Sequence, residues 1–302
     1  MLPLPEEVPA LVPARTSVTW RMASDIRLMG ASGYALVLQV AHPTVGAGVA
    51  EHSNFAADPW GRLLRTLDYV HGTIYGGPRR AGEIGRRIRE MHKSINGVRP
   101  DGRPYHALEP VAFAWVHATL ASAIVDGHAT FGSPMTAAQI EEFWADWLRL
   151  GRLIGVRQQD LPAEWAGFRP YFDDVVDTQL QDNPTVHEVL RTLREPARPP
   201  VPGLNPGVWR VLRLPAAKQL ELFTLGLLPD RLRRRLNLRW TGRDERAFRA
   251  LAAASRAASP VIVGPLREFG PAYLRWRGWS QSFARFLRSA GETADVSPAR
   301  AP

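Results

Sequence analysis

Six of the eight histidines, His42, His52, His71, His92, His106 and His117, fall between Gly33 and Leu120, in a stretch whose apolar residues recur at helical spacing. Imidazole binds metals and moves protons near neutral pH, and a buried one without a partner costs on the order of 1–3 kcal/mol. Two of the six fall on apolar faces. Ile84, Ile88, His92 and Ile95 follow the spacing i, i+4, i+8, i+11, which puts all four on one side of a helix. His117 shares a face with Phe113, Leu120 and Ile124. Each of the two is either a satisfied core histidine or the ligand of a cofactor metal. His42, before Pro43, can cap a turn or act as a ligand. His52 can orient a polar neighbour, His71 is expected near a helix end, His106 in a loop, and His128 and His187 in solvent.

Other chemistries lack their residues. Without cysteine there is no thiolate-bound iron, iron–sulfur cluster, Cys-type zinc site or disulfide. No HExxH, paired ExxH or DxD spacing occurs, which argues against a zincin or a ferritin-like di-iron site. Gly30-x-x-Gly33 is too short for a dinucleotide or phosphate loop and follows no strand. Ser53 and Ser94 have histidines nearby but no nucleophile-elbow context.

The elements that carry these residues read as helices joined by Pro/Gly turns. An amphipathic segment is expected over 16–29, then a buried helix over 34–41 that Pro43 ends or kinks, then a small-residue helix over 44–50. Asp58-Pro59 is a helix start, with Asp as cap and Pro at the first position. The stripe Leu63, Leu67, Val70 and Ile74 marks the expected buried side of that helix, which Gly76-Gly77-Pro78 closes. Helices are expected over 79–95 and 109–125, with loop chemistry at Asn96-Gly97 and Pro100-Asp101-Gly102 and a turn from Gly127 to Pro134. Thr136-x-x-Gln139 makes a capping box for a helix to about Ile154. One or two helices over 162–189, a Pro-rich connector at 196–206, and helices over 207–228, 241–258 and 265–289 complete the chain. With no repeat and no convincing hairpin, the class is all-α. It is one multi-helix domain over 16–290, globin-like in general character, between a flexible arm (1–15) and a disordered tail (291–302).

The 302 residues carry a net charge of +9, and 45% are hydrophobic, enough for a large core. Positive charge invites a nucleic-acid reading, yet the arginines are dispersed among acids. The densest run, RLRRRLNLR at 231–239, is expected to be a solvated face or loop rather than a specific nucleic-acid surface. The N-terminus has prolines and two acids where a secretory signal needs a basic start and an apolar core, so the protein is expected to be cytoplasmic. The longest apolar run is broken by Gln39, His42, Pro43 and two glycines, so no transmembrane segment is expected.

The segments LQVAHP, EHSNF, DPWGRLLRT, YGG, MHKSINGV, Y-x-A-x-x-P and WVHATL, in this order, resemble the family of MpaB-type oxygenases and rubber oxygenases (latex clearing proteins) over roughly 20–280. The resemblance implies an all-helical fold enclosing a haem b and an oxygenase that uses dioxygen, cleaving C=C bonds in the rubber oxygenases. Its proximal iron ligand falls on His92, within M-H-x-x-x-x-G. Its distal catalytic group falls on Arg62, Arg65 and Thr66. Arg65 stands where rubber oxygenases have a lysine able to approach iron; a guanidinium stays protonated and does not ligate. Arg62 and Thr66, one helical turn apart, are expected to donate to bound dioxygen or a haem propionate, and His117 and His42 are the reserve cofactor contacts. The expected substrate is small and apolar or terpenoid-like. The competing expectation is a non-catalytic helical protein that binds haem or another small ligand.

Overall fold

The computed structural model describes residues 2–200 and 203–278. Short helices α1 (Val8–Leu11) and α2 (Val18–Met22) and a 3-10 segment, Ile26–Ala31, precede the main helices α3 (Ser32–Ala41), α4 (Pro43–His52), α5 (Pro59–Tyr75) and α6 (Gly77–Lys93). Two strands, β1 (Asn96–Val98) and β2 (Pro104–His106), lead to α7 (Pro110–Phe131) and α8 (Ala137–Ile154). Then come α9 (Trp165–Thr178), α10 (Pro184–Arg194), α11 (Pro206–Leu227), α12 (Asp230–Arg235) and α13 (Gly242–Ala257), and residues 269–278 are helical. The chain is all-α apart from the one small hairpin among the described residues. The tail expected over 291–302, and the end of the helix expected over 265–289, lie outside them.

The core is built around α7. Ala114, Trp115, Ala118 and Ala121 are fully buried on it, and Trp115 Nε1 donates to the Leu38 carbonyl of α3 at 2.9 Å. Its length and apolarity would allow a bilayer crossing, but a helix apolar on most sides and enclosed by others is also what a protein core requires. The turn expected from Gly127 does not occur there. A Cβ at Gly127 would lie 3.0 Å from Leu28 and 3.4 Å from Ala31, so this glycine lets the 3-10 segment close onto a helix that continues to Phe131.

Other expectations meet corrections. The amphipathic segment over 16–29 is split, because the Asp25 carboxylate accepts from the Arg27 backbone N–H and starts the 3-10 turn. Asn96-Gly97 is strand rather than loop. Gly97 pairs with Tyr105, and a Cβ there would fall 2.9 Å from the Tyr105 ring, so the glycine lets that ring lie close over the strand. The run 231–239 is a solvated face and loop only in part: Arg234, Asn237 and Arg239 are exposed, but Arg231 pairs with Asp173 and Asp177, Arg233 lies 4.8 Å over the Trp240 ring and Arg235 donates to the Leu180 carbonyl. Within the stretch expected as a flexible arm, Val8 and Leu11 are buried against Ala81 and Leu153. Their apolar area, lost to water, outweighs the prolines' tendency to stay extended.

Arg27 ties distant parts together. Its guanidinium meets Asp25 at 2.6 Å, Ser259 Oγ at 2.6 Å, and the carbonyls of Phe131 and Ser255 at 3.3 and 3.4 Å. One buried cation therefore joins the 3-10 segment, α7 and α13.

Candidate functional site

The Asp58 carboxylate accepts from Gly61 N at 2.9 Å and starts α5, which places Arg62 one turn inside the helix. α5 and α6 form a helical hairpin through Gly76 and Gly77, the latter at φ +77°. The two helices touch at Gly72, where a Cβ would sit 2.3 Å from Ile84 Cδ1. At the far end of α6 lies His92.

His92 is half-buried, and its Nδ1 is 2.7 Å from the Ile88 carbonyl oxygen. A carbonyl only accepts, so Nδ1 carries the ring proton and Nε2 keeps its lone pair. Nε2 has no hydrogen-bond partner among the described residues. Phe113 of α7 meets the ring edge to face, with centroids 5.7 Å apart. Burial depresses the His92 pKa, the bond to Ile88 works against this, and the positive charge of Arg62 lowers it further. The ring is therefore neutral at pH 7.

Arg62 donates from Nη1 to Ser53 Oγ at 2.8 Å, and no carboxylate pairs with it among the described residues. Burial first, then repulsion from Arg65, pushes its pKa down. A guanidinium keeps its proton regardless. Thr66 Oγ1 donates to the Arg62 carbonyl at 3.1 Å, so that hydroxyl is committed to its own helix. Arg65 faces solvent beside Asp58, at 3.4 Å. The structure thus puts His92 within electrostatic reach of Arg62, ties Thr66 to the Arg62 carbonyl, and turns Arg65 outward.

The other histidines are placed differently. His117 Nε2 bonds to the Trp147 carbonyl at 2.8 Å, the two rings stack at 5.0 Å, and Trp147 Nε1 returns a bond to the His117 carbonyl at 3.0 Å. Burial pushes its pKa down to about 4. This residue joins α7 to α8. His42 lies buried at the start of α4, with Nε2 3.3 Å from Gln179 Oε1 and Nδ1 unpartnered. His128, expected in solvent, is 5% exposed and bonds to the Met22 carbonyl at 2.8 Å, because α7 continues past Gly127 into the core. His187 is exposed and pairs with Asp182. His52 and His106 bond to the carbonyls of Asn96 and Lys93 around the hairpin. His71 is buried among the rings of Tyr75, Phe269 and Tyr273, with neither nitrogen hydrogen-bonded among the described residues. Sequence reasoning missed Ser53 as the partner of Arg62, since nothing in a nine-residue separation across a helix break signals that contact.

A sequence model of the family described as "ER-bound oxygenase mpaB/B'/Rubber oxygenase, catalytic domain" matches residues 20–257. The chain belongs to this family. Two uncharacterized mycobacterial proteins, from Mycobacterium tuberculosis and Mycobacterium bovis, are each 26% identical over 231 residues, 75% of this chain and 87% of theirs. No solved structure gives a significant match.

For a member of an oxygenase family, the donor set is informative. Among the described residues no group of three or more His, Asp or Glu side chains could chelate a bare ion. One unprotonated imidazole nitrogen instead suits a metal that brings its other ligands with it, as a macrocycle does. A half-buried guanidinium without a carboxylate suits an anionic edge. Phe113, beside His92, packs against the core yet stays only half-buried, as do Leu36, Val49, Val70 and Leu120 on other parts of the core. Two open clefts elsewhere, near Arg239–Arg246 and beside Tyr34 and Asp126, contain none of these residues.

Proposed function

We propose that the protein is a haem b-dependent oxygenase acting with dioxygen on a small apolar substrate, terpenoid-like in character, and cleaving a C=C bond in it. The observation that carries this reading is His92: its Nδ1–H is spent on the Ile88 carbonyl, while Nε2 is free and within the field of Arg62. Haem, when bound through that nitrogen, would supply the iron that activates dioxygen. The chain's own residues do the rest. The Ile88 carbonyl fixes the tautomer and the ring plane and raises the basicity of Nε2. The depressed pKa keeps the ring unprotonated, as a ligand must be. Arg62, held by Ser53, keeps a positive charge where a carboxylate, or oxygen gaining negative charge, can take a charge-assisted bond. Thr66 braces the turn that carries Arg62. Half-buried Val49, Val70 and Phe113 offer apolar contact to a substrate without hydrogen-bonding groups.

The test is the absorption spectrum of protein purified from haem-supplemented cells, oxidised and dithionite-reduced. A Soret band that is lost in His92→Ala, with helicity retained by circular dichroism, supports the reading. Folded protein that takes up no haemin would overturn it.

A further inference from the structure

α11 is built of two unlike halves. Its C-terminal half is seated in the core through Leu222, Phe223 and Leu225. Its N-terminal half is not covered: Val208 is 50% exposed, Val211 69%, Leu212 48% and Leu214 67%. At helical spacing, Val208, Val211 and Leu212 lie on one side, a continuous apolar strip facing water. Trp209 stands beside it, half-buried.

The charge along this stretch of the sequence has one sign. Residues 196–220 contain no Asp or Glu, but include Arg198, Arg210, Arg213 and Lys218. Lys218 is neutralised by Glu221 and Asp244, and Arg198 donates to the Leu204 carbonyl. Arg210 and Arg213 make no ion pair among the described residues. Exposed valine and leucine, a tryptophan and long unpaired arginines on one helix are what an interfacial helix needs: apolar side chains enter the acyl boundary, and guanidinium groups reach the headgroup phosphates. A water-soluble protein partner would meet the same apolar strip but gives no reason for 25 residues without an acid. Anionic lipid does, since each Lys or Arg near such a surface gains attraction and an acid would lose it.

We infer that the N-terminal half of α11, from Pro206 to Leu214, docks the protein peripherally on an anionic lipid surface. The connector that leads to this segment passes the candidate site: Trp60 Nε1, two residues before Arg62, donates to the Ala197 carbonyl at 2.8 Å. The inference itself rests on α11 and does not require haem.

Full-length protein is incubated with phosphatidylcholine vesicles, with and without about a third phosphatidylglycerol, and bound protein is measured by flotation. Binding is expected to be about tenfold or more stronger to the anionic vesicles and to weaken with salt. Val211→Asp/Leu212→Asp and Arg210→Glu/Arg213→Glu, all at exposed positions, should each lower it about tenfold or more while circular dichroism is unchanged. Equal binding to both vesicle types, or no binding to either, overturns the inference. So does anionic binding that both double variants leave intact, which would place the contact elsewhere. Sedimentation velocity supplies the remaining arm: a dimer lost in Val211→Asp/Leu212→Asp, with no vesicle binding, would show that a second copy covers the strip.

Discussion

At the scale of single residues, the hydrogen bonds of each imidazole decide what it can do. His92 has one nitrogen committed to a carbonyl and one free, His117 is tied to Trp147, and His71 has neither nitrogen engaged. Burial pushes His71 and His117 down to about 4. Unfolded imidazole titrates near 6.5, so between these values the unfolded chain binds more protons than the folded one. Stability is therefore complete above about pH 6.5 and falls as the pH drops toward 4, by roughly 2 kcal/mol per histidine at about pH 5. Urea denaturation at neutral and mildly acid pH measures this. His71→Phe removes two buried, unpaired nitrogens from an aromatic surround, and should raise stability by about 1 kcal/mol at pH 7 and by more in acid. At the candidate site, Ser53→Ala frees the guanidinium of Arg62. If haem is bound there, the reduced Soret band should shift, with haem content kept. An identical spectrum would mean that Arg62 does not face the cofactor. The placement of His92 was legible from three isoleucines at helical spacing. That of His71 was not, because Phe269 and Tyr273, which enclose it, lie 198 and 202 residues away and carry no periodic relation to it.

At the scale of elements, local chemistry that spoke in one voice was readable, and local chemistry overruled by a distant contact was not. Asp58-Pro59 and the Thr136–Gln139 box start α5 and α8 as their side chains require. Gly127 looks like a helix end, and only the approach of Leu28 and Ala31 explains why α7 passes through it. The hairpin was hidden for a simpler reason: three-residue strands are too short to show alternation. Gly85 gives a prediction at this scale. A Cβ there would lie 2.3 Å from the Leu153 carbonyl oxygen, a backbone atom that cannot step aside. Gly85→Ala should push α6 off α8 and cost about 1–3 kcal/mol, read as a lowered denaturation midpoint. It should also weaken whatever His92 holds, because that ring stands on the same helix.

At the scale of the whole molecule, the fold is closed by buried charge as well as by apolar packing. Arg27 and Asp25 are each 8% exposed, and Arg27 reaches three further partners in α7 and beyond it. Arg27→Met takes the only ion-pair partner shown among the described residues from the buried Asp25 carboxylate and leaves it a backbone N–H, and should cost about 3–5 kcal/mol in equilibrium unfolding. A loss under about 1 kcal/mol would mean that the region relaxes and lets water in. The all-α class followed from composition and turns, whereas the joining of first and last thirds by one arginine could not, since no spacing encodes it. The contact of Gly72 with Ile84 has a geometric corollary for Arg62. Ten residues of helix separate Arg62 from that fulcrum, an arm of about 15 Å. Opening the angle between the two helices by about 5° would carry the arginine roughly 1 Å from the histidine, a distance large enough to weaken a positioned contact substantially. Anything that pries at this hinge, from a bound molecule to a bulkier side chain at position 72, acts as a throttle on the pair without touching either member.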